Sequence, residues 1–148
     1  MGFEFSLEAI LRVRRGIERM ERLKLEALAS EQARAKNELE TITRQFLENR
    51  RKFQERISAE TYGSELQFEE FRAQRVFAAH QSLKMRIAEI EQLRLAQIIV
   101  FTKARQNRQV LESLREKKLA LYHQELLRRE QQGLDDLFLM RQNLLRED

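Results

Sequence analysis

The sequence predicts an all-α protein that forms a long two-helix antiparallel coiled-coil hairpin with an overhanging C-terminal helix. Proline and cysteine are absent from the 148 residues, and glycine occurs only four times. Charged residues make up 35% of the chain and aromatic residues 7%, so the apolar residues must lie in narrow stripes and not in a compact core. Apolar residues recur at alternating spacings of three and four, which is the pattern of a coiled coil.

The first helix is predicted over about residues 6–58, and its seam is the strongest periodic signal in the chain. The main set of seam positions is Leu25, Leu28, Gln32, Ala35, Leu39, Ile42, Phe46, Asn49 and Phe53. A second set nearer the N-terminus has the same spacing but lies one register out, because eleven residues separate Ile17 from Leu28; it is Ile10, Val13, Ile17 and Met20. We expect both sets to line the seam, with a discontinuity between them.

The turn is predicted over about residues 59–64 and the second helix over about 65–146, within a single domain of residues 1–148. Gly63 can end the first helix in a left-handed conformation, and Ser64 with Gln67 has the spacing of a capping box. The seam of the second helix contains Leu83, Ile87, Ile90, Ile98 and Phe101. Five phenylalanines flank the turn, and most of them are expected in the hairpin core. They are Phe46, Phe53, Phe68, Phe71 and Phe77.

The two helices are predicted to differ in length. If the turn centres near Tyr62, the numbers of two facing residues add up to about 124. Tyr122 would then face residue 2, and no residue of the first helix would face the positions after it. That overhang is apolar, so another molecule is expected to cover it. Its apolar residues are Leu126, Leu127, Leu134, Leu137, Phe138, Leu139, Met140, Leu144 and Leu145.

The same residues give no support for catalysis, a metal site or a cofactor. His80 and His123 lie far apart, and neither has the glutamate partner of a di-iron helix motif. Acidic residues alternate with basic ones as on a solvated helix face, and no glycine-rich phosphate loop occurs. No signal peptide or membrane-spanning segment is predicted, because the apolar runs are too short. We expect a soluble, non-enzymatic protein.

Two basic stretches leave a binding function open. Residues 12–24 and 103–118 each carry six basic and two acidic residues, and the hairpin would bring them together as a basic collar. Such a collar can be a solvated face, a contact with an acidic ring lumen, or a contact with nucleic acid phosphates. The stretches lack the interleaved aromatic residues of a base-stacking surface, so nucleic acid is not the expected partner.

Three segments carry a resemblance to a known family. Residues 3–12 (FEFSLEAILR) alternate apolar residues and then merge into a basic helix. Residues 111–118 (LESLREKK) are followed by Glu125, Glu130 and the acidic pair in residues 134–137 (LDDL). Residues 62–71 form a connector that ends in an aromatic residue. In order, spacing and length, the chain resembles the FliJ family of bacterial flagellar type III export proteins.

The resemblance implies a soluble stalk that inserts in the hexameric export ATPase ring and also contacts the membrane-embedded export gate and escort chaperones. It implies a cytoplasmic location, peripherally associated with the inner face of the cell membrane and without membrane insertion. An injectisome stalk is the nearest alternative, and a basic nucleic-acid-binding coiled coil is the second. The implied ATPase-binding residues are Phe3, Phe5, Leu7, Arg12, Arg128, Arg129, Leu134, Asp135, Asp136, Leu137 and Phe138. The implied gate-binding residues are Glu38, Ile42, Phe46, Asn49 and Phe71.

Overall fold

The protein is a helical hairpin. The computed structural model describes residues 2–57 and 63–147. Within these ranges, α1 spans Glu8–Arg56, α2 spans Gly63–Arg146, and the two helices pack against each other without any strand. The predicted all-α hairpin of two long helices is confirmed.

Of the predicted turn at about 59–64, residues 59–62 lie outside the described residues. Gly63 is the first residue of α2, and no described glycine has a positive φ. The prediction that Gly63 supplies a left-handed stop is therefore wrong. Because helical geometry already holds at Gly63, Ser64 lies inside α2 and not at its N-cap. Compared with the predicted bounds, α1 begins two residues later and α2 two residues earlier.

The helices contribute to two compact units. The terminal unit consists of Met1–Arg19 with Lys103–Asp148, and the middle unit consists of Met20–Thr102. Each unit contains one segment of α1 and one segment of α2. The packing in each unit can therefore be compared directly with the seam that the sequence predicts.

In the middle unit, the predicted seam is confirmed. All nine α1 positions from Leu25 to Phe53 are buried or half-buried, and so are all five predicted positions of α2. Gln32, a polar seam position, is buried and donates a hydrogen bond from Nε2 to the Glu91 carboxylate at 2.6 Å. Because that hydrogen bond satisfies the amide, the seam accommodates a polar layer without an unpaired buried group.

In the terminal unit, the predicted seam is wrong. Leu11 is fully buried, and the next positions at spacings of three and four, Arg14 and Glu18, are half-buried. In contrast, Val13 is 60% exposed and Ile17 is 41% exposed. Ile10 and Met20, the other members of the predicted set, are also exposed, although Met20 belongs to the middle unit.

The predicted discontinuity is also wrong, because half-buried or buried positions recur at spacings of three and four throughout α1. The positions that continue the seam of the main predicted set toward the N-terminus are Leu7, Leu11, Arg14, Glu18 and Glu21. A shift to the apolar set would require α1 to rotate by about 100° between Ile17 and Leu28. The regular helix keeps its phase instead, and charged side chains occupy the seam where they can form ion pairs.

Candidate functional site

The chain before α1 is held against α2 by aromatic and ionic contacts. The rings of Phe3 and Tyr122 lie 5.6 Å apart between centroids, and the Arg115 guanidinium lies 5.8 Å from the Phe3 ring. Phe5 is buried, with the Lys118 ammonium 5.7 Å from its ring. Arg115 also donates from Nε to the Glu8 carboxylate at 3.0 Å. These contacts fix Phe3 and Phe5 beside residues 115–122 of α2.

Three of the expected ATPase-binding residues therefore take part in intramolecular packing. Phe3 is half-buried and Phe5 buried by the contacts above, and Leu7 is half-buried just before α1, in line with the seam. Arg12 is exposed. Of the four N-terminal residues, Arg12 is thus the one whose side chain is exposed.

The C-terminal segment of α2 is exposed along its whole described length. Every residue of 126–147 is exposed, although helix continues to Arg146. The polar contacts of this segment are local: Arg128 and Arg129 both bind the Glu125 carboxylate, and Gln131 donates to Asp135. The hydrogen bond from Arg128 lowers the pKa of Glu125 to about 2, so this carboxylate is ionised at neutral pH.

The apolar residues of this segment share one broad face, which we call the C-terminal face. At about 100° per residue, eight of the nine project into an arc of about 160°, and only Leu139 lies outside it. Arg128, Arg129, Asp135 and Asp136 project outside the arc, whereas Glu130 and Arg141 project into it between the apolar side chains. The face consists of Leu126, Leu127, Leu134, Leu137, Phe138, Met140, Leu144 and Leu145, of which all but Leu126 are 61–70% exposed.

The basic residues of the terminal unit are partly neutralised within the unit. Arg108 binds both Glu18 and Glu112, and Arg15 binds Glu112 at 2.5 Å. Hydrogen bonds from Arg108 and then Arg15 lower the pKa of Glu112. The salt-bridged residues join α1 to α2 on one side of the helix pair. The basic collar is therefore in part a structural ion-pair network.

The expected gate-binding residues lie in the middle unit, and three of the five line one of two grooves. Phe46 lines a groove of about 670 Å³, and the Arg50 guanidinium lies 6.0 Å from its ring. Ile42 and Phe71 line a groove of about 430 Å³. Neither of these grooves includes Glu38, which is exposed, or Asn49, which is half-buried in the seam.

The phenylalanines around the turn are more exposed than the sequence predicts. Phe46 and Phe53 are half-buried at seam positions, as expected. Phe68, Phe71 and Phe77 are 66%, 57% and 65% exposed, so their placement in the core is wrong. Leu83 and Ile87 define the seam positions of α2 by their spacing, and these three phenylalanines lie outside that series. Their position relative to the series is the sequence signal that indicates exposure. Phe77 and Leu47, which line the larger groove, are absent from the sequence-based site.

No helix within 2–57 or 63–147 is long and apolar enough to cross a membrane. Across the same ranges, no group of three or more histidine, cysteine or acidic side chains could hold a metal ion.

Comparison with protein-family models, with curated proteins and with solved structures finds no match to this chain.

Proposed function

We propose that the protein is a stalk of the FliJ type, which inserts its C-terminal face in the ring of a type III export ATPase. The observation that carries the proposal is the width of that face. An amphipathic helix typically faces a core with an apolar stripe about 100° wide or more, and eight exposed apolar side chains of residues 126–147 span about 160°. An arc of this width fits a concave partner surface, and the inner wall of a ring is such a surface.

The sequence resemblance supplies the identity of the ring. In this proposal, the C-terminal face packs against the inner wall of the flagellar export ATPase, and Arg128, Arg129, Asp135 and Asp136 bind polar groups beside it. The grooves around Phe46 and Phe71 bind the cytoplasmic domain of the export gate, and escort chaperones are further partners. An injectisome ATPase is the alternative ring.

Deletion of residues 126–148 tests the proposal. No described residue of 126–147 is buried, so we expect the shortened chain to keep its melting temperature and to lose helical signal only in proportion to its length. Binding to the export ATPase and stimulation of ATP turnover should be lost. Retention of both in the shortened chain would contradict the proposal.

Point substitutions in the full chain separate the face from the length of the helix. Leu134→Ser with Phe138→Ser removes two central side chains of the C-terminal face, and we expect ATPase stimulation to fall by about tenfold or more. Leu139→Ser is the matched control, because Leu139 is 55% exposed but lies outside the arc. An equal loss in the control would show that the face does not determine binding. The same turnover assay with an injectisome ATPase tests the alternative ring.

A further inference from the structure

The two sides of the helix pair in the terminal unit differ in chemistry. One side is covered by ion pairs, in which Arg15 binds Glu112 and Glu8 binds Arg115. The other side of α1 consists of Ala9, Ile10, Val13, Gly16 and Ile17, which are adjacent on the helix surface and carry no charge. The apolar side chains that the sequence pattern placed in the seam thus form an external surface.

The antiparallel register extends this surface onto α2. In an antiparallel helix pair, the residue numbers of two facing positions add up to a nearly constant sum. This sum is 123 for Glu8 with Arg115 and 125 for Phe3 with Tyr122. This register places Leu114, which is half-buried, opposite Ile10 on the side away from the ion pairs. Val110, which is 68% exposed, lies one turn before Leu114. We call the combined surface the apolar flank; it consists of Ala9, Ile10, Val13, Gly16, Ile17, Val110 and Leu114.

The apolar flank is open to a neighbouring helix. Val13 is 60% exposed and Ile10 46%, and a methyl group at Gly16 would meet no other atom within 4 Å. At about 100° per residue, the flank spans about 120° of α1, a width that suits the apolar stripe of one amphipathic helix.

The charges at the border of the flank specify the occupant. Lys103 and Lys117 lie seven residues before and after Val110, so all three side chains share one line along α2. Both lysines are exposed, and neither forms an ion pair within the described part of the chain. No acidic residue lies among the positions of the flank. Two copies joined through this surface would oppose their lysines, whereas a helix with acidic residues beside its apolar stripe would pair with them.

We infer that the apolar flank is the docking site for an acidic amphipathic helix of a partner protein, which packs on Ile10, Val13 and Ile17 and pairs with Lys103 and Lys117. The two lysines are 14 residues apart, or about 21 Å along the helix. The partner helix therefore needs at least four turns, with carboxylates near both ends of its apolar stripe. This inference does not depend on the proposed ATPase partner.

A synthetic helix can serve as the probe. We would use a labelled peptide of about four heptads with leucine and alanine at the seam positions and glutamate at the flanking positions. Mutual repulsion of the glutamates disfavours self-association of the peptide. The matched probe is the same peptide with lysine in place of every glutamate. Fluorescence anisotropy with the full chain measures the dissociation constant for each peptide.

We expect the chain to bind the glutamate peptide, and Val13→Ser with Ile17→Ser to weaken that affinity by about tenfold or more. Lys103→Glu with Lys117→Glu should reverse the preference, so that the lysine peptide binds more tightly. Arg34→Glu with Arg51→Glu is the control, because it changes the net charge equally through exposed α1 residues outside the terminal unit. This control should keep the preference for the glutamate peptide.

Three results would overturn the inference. The first is no binding of the glutamate peptide at about 100 μM, and the second is binding that the flank substitutions leave unchanged. The third is a dimer in sedimentation velocity that Val13→Ser dissociates, because the occupant would then be a second copy of the chain. Circular dichroism of each variant verifies that the hairpin is intact. Both serines replace exposed residues, so the melting temperature should change little.

Discussion

Alanine substitutions at Leu11 and Val13 decide which side of α1 faces α2. Leu11 is fully buried and Val13 is 60% exposed. Removing a fully buried leucine side chain forfeits about 1.5–3 kcal/mol of transfer free energy, and the cavity adds to this loss. We therefore expect Leu11→Ala to lower the free energy of unfolding by about 2–4 kcal/mol.

Val13→Ala should change the free energy of unfolding by less than about 0.5 kcal/mol, because little apolar surface is uncovered. Alanine also favours helix more than valine does, which offsets part of the loss. Urea unfolding followed by far-ultraviolet circular dichroism gives both values, and an unchanged m-value would show that the transitions are comparable. If Val13→Ala were the more destabilising substitution, the apolar set would fill the seam and the register of α1 in the terminal unit would be wrong.

Two further predictions concern charged groups. The pKa of Glu91 is lowered to about 2 by hydrogen bonds from Arg94 and then Gln32, so its stabilising contribution is complete above about pH 4.5 and is lost as the pH falls toward 2. In Glu91→Gln, the urea midpoint should fall less between these pH values, and an identical acid profile would contradict the assignment. A double-mutant cycle of Glu18→Ala and Arg108→Ala, whose side chains are 19% and 23% exposed, should give a coupling free energy of about 1–2 kcal/mol. That coupling should shrink in 1 M salt, and a coupling free energy near zero at low salt would exclude a stabilising ion pair.

The sequence was sufficient to predict the fold because the seam of the middle unit is long and regular. From Leu25 to Phe53, nine successive positions follow the spacing of a coiled coil, and a regular helix maintains that phase without additional information. Gln32 and Asn49 did not obscure the pattern, since seven apolar positions surround them. The α2 residues Leu83 to Phe101 were placed correctly for the same reason.

The seam of the terminal unit could not be predicted from hydrophobicity. Ile10, Val13 and Ile17 form a good apolar stripe, yet Arg14 and Glu18 occupy the interface. Whether a charged seam position is tolerated depends on the residue that faces it across the hairpin. Glu18 meets Arg108, 90 positions later in the chain, and only the register of the two helices reveals that pairing. The apolar flank is a direct consequence of this arrangement.

The candidate sites were therefore predicted unevenly. The C-terminal face was apparent from the sequence, because its exposure follows from the unequal lengths of the two helices. The exposure of Phe68, Phe71 and Phe77 does not follow from their hydrophobicity. It follows from their positions around the helix relative to the seam residue Leu83. The position of Val13 around α1, compared with the seam that begins at Leu25, likewise indicates an external residue.

The two apolar surfaces of the terminal unit differ in geometry. The C-terminal face spans about 160° of one unpaired helix, and a single neighbouring helix would leave part of it in water. The apolar flank lies beside a seam that α2 already covers, and it spans about 120° of α1. The cationic residues at its border, Lys103 and Lys117, also favour an acidic neighbour, whereas the C-terminal face has charges of both signs within and beside it. A broad concave surface therefore fits the face, and one acidic helix lying alongside fits the flank.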